Sequence, residues 1–241
     1  MTTMDQATPI PIIDRLHKLA ETLQPVKLIN TYRGIPITYN AIVIEAERGT
    51  ATLGINEYQA VCLALEGKTH LQSPHLSEVF RATPVSVDVL TKKTILTEFI
   101  GVGRSLGNRL YTRVQPKGPI DVELRLGEHH IPGQLADISL NGIGIFTLET
   151  YTYGDLMIKK NSHAYIAFDL PPEGTPVWLE GTVATVLRLP NTTQFRLGLK
   201  ILPDPEVESV LLEYVASRRD ALMREISAIY DTMRQEAMKK G

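Results

Sequence analysis

Short runs of alternating apolar and polar residues dominate the second half of the chain. Residues 120–126, Ile-Asp-Val-Glu-Leu-Arg-Leu, are the clearest case, because every second side chain is apolar. A period of two places the apolar side chains on one face of a strand. Further strand-like runs follow with no helical pattern between them, at residues 131–137, 142–148, 164–170, 178–187 and 194–202. About six short strands in roughly one hundred residues predict a closed β-barrel.

Residues 25–103 also read mainly as β-structure. The stretch 85–90 alternates cleanly, and 94–100 is rich in strand-forming residues. The apolar run at 58–65 is ambiguous between a strand and a helix. Other candidate strands lie at 35–39, 41–46 and 50–55. We therefore expect a second small barrel or sandwich in the N-terminal half.

Helical patterns are predicted at the two ends of the chain. Apolar residues at near-helical spacing between Ile12 and Leu23 predict a short amphipathic helix that ends before Pro25. Asp204 suits the N-cap and Pro205 the first position of a long helix that continues to about Lys239. That helix either packs back on its own chain or mediates a homodimer.

The predicted class is thus mainly β, with two small barrel or sandwich domains, a short N-terminal helix and a long C-terminal helix. The expected divisions are a tail and helix at 1–24, an all-β domain at 25–103, a barrel with its leading segment at 104–203, and a helix at 204–241.

Composition narrows the class of protein. The formal net charge of -2 argues against nucleic-acid binding by the chain as a whole. The single cysteine, Cys62, lies in an apolar run, which indicates a core residue and excludes an internal disulfide. The sequence shows neither a signal peptide nor an apolar stretch of about 20 residues, so we expect a cytoplasmic protein without a membrane span.

Two short motifs carry the chemistry. Arg109 and Arg113 form an Arg-x-x-x-Arg pair, and Asp137, Ser139 and Gly142 form an Asp-x-Ser-x-x-Gly motif. Guanidinium groups pair with phosphate, a carboxylate and a hydroxyl accept from base N–H groups, and glycine permits close backbone approach. Together these groups are suited to hold a phosphorylated purine.

The two motifs, in this order and with these strands around them, resemble the PilZ domain, a bacterial receptor module for cyclic di-GMP. The resemblance covers about residues 104–203. It extends to the Asp-Ile-Ser-Leu-Asn-Gly-Ile-Gly-Ile stretch at 137–145 and to Leu-Gly-Leu-Lys-Ile at 197–201. An all-β domain before a PilZ domain also resembles the flagellar-brake class of two-domain receptors.

The resemblance implies that Arg109, Arg113, Asp137, Ser139 and Gly142 bind cyclic di-GMP. The arginines would contact phosphate or the guanine Hoogsteen edge, and Asp137 would accept from guanine N1–H and the exocyclic amine. Asn108 stands where many relatives have another arginine, and Lys117 and Arg125 are candidates to compensate for that lost charge.

The Arg pair follows a glycine-containing stretch, Gly101 to Gly107, which would connect the two domains. Ligand capture is therefore expected to order this segment, change the arrangement of the domains and pass the signal to a protein partner, for example in the motility or envelope machinery. The alternative is a degenerate PilZ scaffold that binds proteins without nucleotide.

An enzyme is the main rival class. His129 and His130 form the only adjacent histidine pair, in what reads as a hairpin turn. No Ser-His-Asp elbow, HExxH or P-loop signature appears in the sequence. We therefore expect no catalytic residues, no metal and no resident cofactor, with cyclic di-GMP as a ligand only.

Overall fold

The computed structural model describes residues 11–103, 111–148 and 158–240. The helices are α1 (Ile12–Glu21), α2 (Glu57–Glu66) and α3 (Pro205–Lys240). The first six strands are β1 (Pro25–Tyr32), β2 (Ile35–Glu47), β3 (Thr50–Gly54), β4 (Thr69–Gln72), β5 (Phe80–Asp88) and β6 (Lys93–Gly101). The next six are β7 (Asp121–Leu126), β8 (His129–Ser139), β9 (Gly142–Leu148), β10 (His163–Leu170), β11 (Thr175–Arg188) and β12 (Gln194–Ile201).

The first six strands form a closed antiparallel barrel in the order β1-β2-β3-β6-β5-β4. The two candidate strands predicted at 35–39 and 41–46 are one continuous strand, β2, whose register shifts between Val43 and Glu45. β1 and β4 alternate in burial, and the sequence pattern did not single them out.

The ambiguous run at 58–65 is a helix, α2. The N-terminal domain, which the sequence predicted to be all β, therefore also contains a helix. Local signals explain the helix. The Asn56 side chain accepts from the backbone N–H of Tyr58, and the Gln59 side chain accepts from that of Asn56. Gly67 ends the helix in the left-handed conformation. The residues from Ala60 to Leu63 are all buried. A helix that is apolar over much of its surface shows no clear hydrophobic period in its sequence, so the pattern of this run did not distinguish a helix from a strand.

The second barrel closes in the order β10-β11-β12-β9-β8-β7, which confirms the predicted six strands. Inward and outward residues alternate as the sequence indicates: in β7, Val122, Leu124 and Leu126 are buried and their neighbours are exposed. Leu126 pairs with His129 across a turn at Gly127 and Glu128, so the histidine pair begins a strand directly after a hairpin turn.

Helix α3 starts as predicted, since Asp204 Oδ1 accepts from the backbone N–H of Val207 and Pro205 is the first residue. Its buried residues recur every three or four positions and are covered within the chain: Leu211, Val215, Arg218, Leu222, Ile226 and Tyr230. Arg218 is a charged member of this buried stripe, whereas the apolar residues Ile229 and Met233 are only half-buried. Dimerisation through this helix stays a prediction.

Contacts divide the chain into two compact units. One comprises Met1–Tyr32, Pro36–Asn108 and Met223–Gly241, and the other comprises Arg33–Ile35 and Arg109–Leu222. The first half of α3 thus belongs with the second barrel and the last part with the first. Among the described residues, no helix has the length and apolar character needed to cross a membrane.

Cys62 is fully buried in α2, which confirms its assignment to the core. Burial, with a smaller contribution from Glu66, raises the pKa of the thiol from 9.0 to about 12. At pH 8 this shift lowers the thiolate fraction about a thousandfold. We expect iodoacetamide to leave Cys62 unmodified in the folded protein and to alkylate it in 6 M guanidinium chloride, as measured by mass spectrometry. Rapid alkylation under native conditions would contradict the burial of this thiol.

Candidate functional site

The Asp-x-Ser-x-x-Gly motif forms the hairpin between β8 and β9. Ser139 pairs with Gly142 across the two-residue turn, and Asp137 pairs with Gly144. In β9 the side chains of Ile143 and Ile145 are in the barrel core. Because neighbouring residues of a strand point to opposite faces, the motif residues lie on the outer wall of the barrel.

Arg113 is brought to this wall by a single pair of backbone hydrogen bonds. The N–H of Val114 donates to the carbonyl of Ile138 at 2.9 Å, and the N–H of Ile138 donates back at 3.0 Å. On the other side, Arg218 Nε of α3 donates to the carbonyl of Gln115 at 2.8 Å. The segment that carries Arg113 is therefore held between β8 and the first half of α3.

Three charged side chains meet on the wall. Arg113 Nη1 lies 3.2 Å from Asp137 Oδ1, and Arg196 of β12 contacts Asp137 Oδ2 through its Nη2. The Asp137 side chain is 8% exposed, whereas those of Arg113 and Arg196 are 25% and 33% exposed. One buried carboxylate thus orients two accessible guanidinium groups, and the cluster keeps one net positive charge for an anion.

Glycines make the wall beside this cluster flat. Gly144 pairs with Asp137 on one side and with Gly198 of β12 on the other. A Cβ on Gly144 would lie 2.9 Å from Asp137 Oδ2, and one on Gly142 would lie 2.8 Å from Arg113 Nη2. We call Gly142, Gly144 and Gly198 the glycine floor. It lets Arg196 reach across β9 to Asp137, and it gives the side chains of Arg113 and Asp137 room to lie close against the sheet.

Ser139 is fully buried, and its hydroxyl group stabilises the turn between β8 and β9. It donates to the carbonyl of Gly142 at 3.0 Å, and Asn141 Oδ1 lies 3.4 Å away. The hydroxyl therefore stabilises the hairpin that carries Asp137 and Gly142.

Of the five residues predicted from sequence, the structure brings together Arg113, Asp137, Ser139 and Gly142. Arg109 lies outside the described residues, as does the stretch 104–110 that contains Gly107. Arg125, a candidate to supply compensating charge, does not join the cluster, because its guanidinium stacks over the Tyr165 ring of β10 at 5.3 Å. β10 lies on the other side of β7 from β8.

The sequence analysis did not assign Arg196, Gly144 or Gly198 to the site. The alternation of β12 could have placed Arg196, Gly198 and Lys200 on the outer face. It could not show that β12 is the neighbour of β9, which is what brings Arg196 to Asp137. Within the described ranges, no group of three or more His, Cys, Asp or Glu side chains is arranged to hold a metal ion.

Gly144→Ala tests the glycine floor. The added Cβ would lie 2.9 to 3.1 Å from all three atoms of the Asp137 carboxyl group, so we expect the carboxylate to be displaced from both arginines. Affinity for the anionic ligand of this site should fall at least tenfold, measured by calorimetry with the ligand proposed below, while the circular dichroism spectrum is retained. Gly118→Ala is the matched control, because its Cβ would meet nothing within 4 Å. Equal affinity for both variants would contradict the role of Gly144.

Residues 108–217 match the family model of the PilZ domain. An uncharacterized protein of Aquifex aeolicus is 26% identical over 147 residues, which are 59% of this chain and 66% of that relative, so the match spans just under two thirds of its length.

Two solved structures are similar to this chain at low sequence identity. The inhibitor of motility MotI/DgrA of Bacillus subtilis has a TM-score of 0.42 and 14% identity, covering 81% of this chain and 95% of that one. YcgR of Escherichia coli, solved in complex with c-di-GMP, has a TM-score of 0.39 and 15% identity, covering 97% and 96%.

The family match and the site occupy the same part of the chain. The matched range contains β7 to β12 and the whole Arg113–Asp137–Arg196 cluster. The second barrel of this chain is a PilZ domain.

Proposed function

We propose that the PilZ domain binds cyclic di-GMP through the outer wall of β8, β9 and β12, and that the chain is a receptor rather than an enzyme. The observation that carries this proposal is the buried carboxylate of Asp137, which holds two accessible guanidinium groups beside the glycine floor. Cyclic di-GMP offers two phosphates and two guanines, so its groups match the cations and the acceptor of this wall.

Each residue has a role in this proposal. Arg113 exchanges its contact with Asp137 for a phosphate or a guanine Hoogsteen edge, and Arg109 supplies a second guanidinium from the preceding segment. Arg196 keeps Asp137 in place while Arg113 moves. The Asp137 carboxylate accepts from guanine N1–H and the 2-amino group, which adenine lacks. Gly142 gives the ligand access to the hairpin that Ser139 holds.

Calorimetry with four ligands tests the binding. Cyclic di-GMP should bind, whereas cyclic di-AMP, GTP and single-stranded DNA should bind at least a hundredfold more weakly. Failure of cyclic di-GMP to bind would leave the second candidate, a PilZ-type scaffold that binds proteins without nucleotide.

Transmission of the signal is part of the same proposal. The segment carrying Arg109 lies between the two barrels in the sequence and contains Gly101, Gly103 and Gly107. A ligand that engages Arg109 and Arg113 together orders this segment and changes the arrangement of the two units for a downstream protein partner in the cytoplasm. Small-angle X-ray scattering should show different profiles with and without saturating cyclic di-GMP. Superimposable profiles would contradict the rearrangement but not the binding.

A further inference from the structure

A groove crosses the second barrel on strands that take no part in the nucleotide site. Its floor and walls are the outward residues of β7, β10 and β11, with His130 and Pro132 of β8 at one side. Two adjoining depressions of about 690 and 620 Å³ share Glu123, His130, Ala167 and Trp178, so they form one continuous groove. We call it the β10 groove.

Cross-strand register explains the shape of the groove. Ala167 of β10 pairs with Trp178 on β11 and with Glu123 on β7. The alanine side chain is too short to fill the space between its larger neighbours, so the wall is low along β10 and high on both sides. The barrel is closed here, which leaves no strand edge for an added strand, and a partner must be recognised by side chains.

Aromatic and apolar side chains stand exposed in the groove. Trp178 is 72% exposed, Tyr165 is 46% exposed and Leu202, at the end near α3, is 80% exposed. Tryptophan and tyrosine dominate the binding energy of protein interfaces when they become desolvated. Their grouping with Leu202 in one depression distinguishes this face from single scattered apolar residues.

The charge around these aromatics is acidic. Five carboxylates line the groove, at Asp121, Glu123, Asp169, Glu180 and Asp204, against one arginine, Arg125. Arg125 already lies over the ring of Tyr165 at 5.3 Å, so the groove itself shows how an aromatic face here accepts a guanidinium. His130 contacts Glu123, and His163 Nε2 lies 3.4 Å from Glu180. Glu180 and Asp169 are both exposed, so each can receive a further cation.

We propose that the β10 groove docks a basic segment of a protein partner, with an arginine or lysine of that segment stacked on Trp178 and neighbouring basic residues paired with Glu180 and Asp169. The charge complementarity selects a basic peptide, and the excess of carboxylates disfavours nucleic acid and acidic surfaces. The groove is a surface for the partner of the proposed receptor, but its test needs no nucleotide, so the two proposals fail separately.

Trp178 is the only tryptophan of the chain, and its fluorescence therefore reports occupancy of the groove directly. The probe is a seven-residue peptide of alternating arginine and valine, titrated at 150 mM salt without cyclic di-GMP. We expect a saturable change in Trp178 emission. A peptide with glutamate in place of each arginine should give none. No saturable change with the arginine peptide up to 1 mM, or an equal change with the glutamate peptide, would overturn the proposal.

Substitutions test whether the arginine peptide binds in the β10 groove. With a fluorescently labelled arginine peptide and polarisation as the readout, Trp178→Ala and Glu180→Lys should each weaken binding about tenfold. Glu213→Lys is the matched control, since it makes the same charge reversal at an exposed position of α3 that does not line the groove. Equal weakening by Glu180→Lys and Glu213→Lys would show attraction to net charge alone and overturn the assignment to the groove.

Discussion

Arg113→Ala is expected to weaken the binding of cyclic di-GMP about a hundredfold or more. In the proposed complex Arg113 makes two charge-assisted hydrogen bonds, each worth about 1.5 to 3 kcal/mol. The folded barrel should persist, because the arginine side chain is a quarter exposed while the neighbouring bridge of Val114 to Ile138 uses backbone atoms only. Isothermal titration calorimetry measures the affinity.

The control for this variant is Arg125→Ala. Arg125 is in the same domain and also contacts another side chain, but it lies over Tyr165 and away from Asp137. Its replacement should leave the affinity for cyclic di-GMP unchanged. Unchanged affinity of Arg113→Ala would remove Arg113 from the site, and equal loss in both variants would indicate a general effect of positive charge.

Asp137→Ala is expected to affect both stability and ligand selection. Two guanidinium groups lose their common carboxylate and repel each other, at a cost that their partial exposure limits to about 2 kcal/mol. For a domain of this size that cost corresponds to a fall in unfolding midpoint of about 10 °C. Differential scanning calorimetry measures this midpoint. Loss of the acceptor should also reduce the preference for cyclic di-GMP over cyclic di-AMP.

A second substitution tests whether repulsion between Arg113 and Arg196 causes the loss of stability in Asp137→Ala. In the Asp137→Ala background, Arg196→Ala removes one of the two repelling cations, so part of the lost midpoint should be recovered. The same Arg196→Ala change in the unmodified protein should lower the midpoint, because there it breaks an ion pair with the buried carboxylate. Equal effects of Arg196→Ala in the two backgrounds would show that Asp137 does not couple to Arg196.

Local patterns were sufficient for most strands. A period of two survives in any strand with one buried face, so β7, β9 and β10 could be located from residues 120–126, 142–148 and 164–170 to within a few positions. The start of α3 could also be predicted from local sequence, because the Asp204 cap and Pro205 act within the first turn of the helix. Helix α2 shows where this fails: Asn56, Gln59 and Gly67 carry clear end signals, but the buried apolar run between them has no decisive period.

The sequence alone determined which chemical groups this protein presents. Asp137, Ser139 and Gly142 are recognisable by spacing, because a hairpin with a two-residue turn keeps its motif residues together in both sequence and space. Arg113 is recognisable in the Arg-x-x-x-Arg motif, but the bridge between Val114 and Ile138 is what brings it to this hairpin. Only the tertiary structure decided what joins them. Closure of the barrel pairs β9 with β12, which adds Arg196 and Gly198 to the wall, and it directs Arg125 to the β10 groove instead. Strand neighbours far apart in sequence are chosen by the packing of the whole core, and no local spacing encodes that choice.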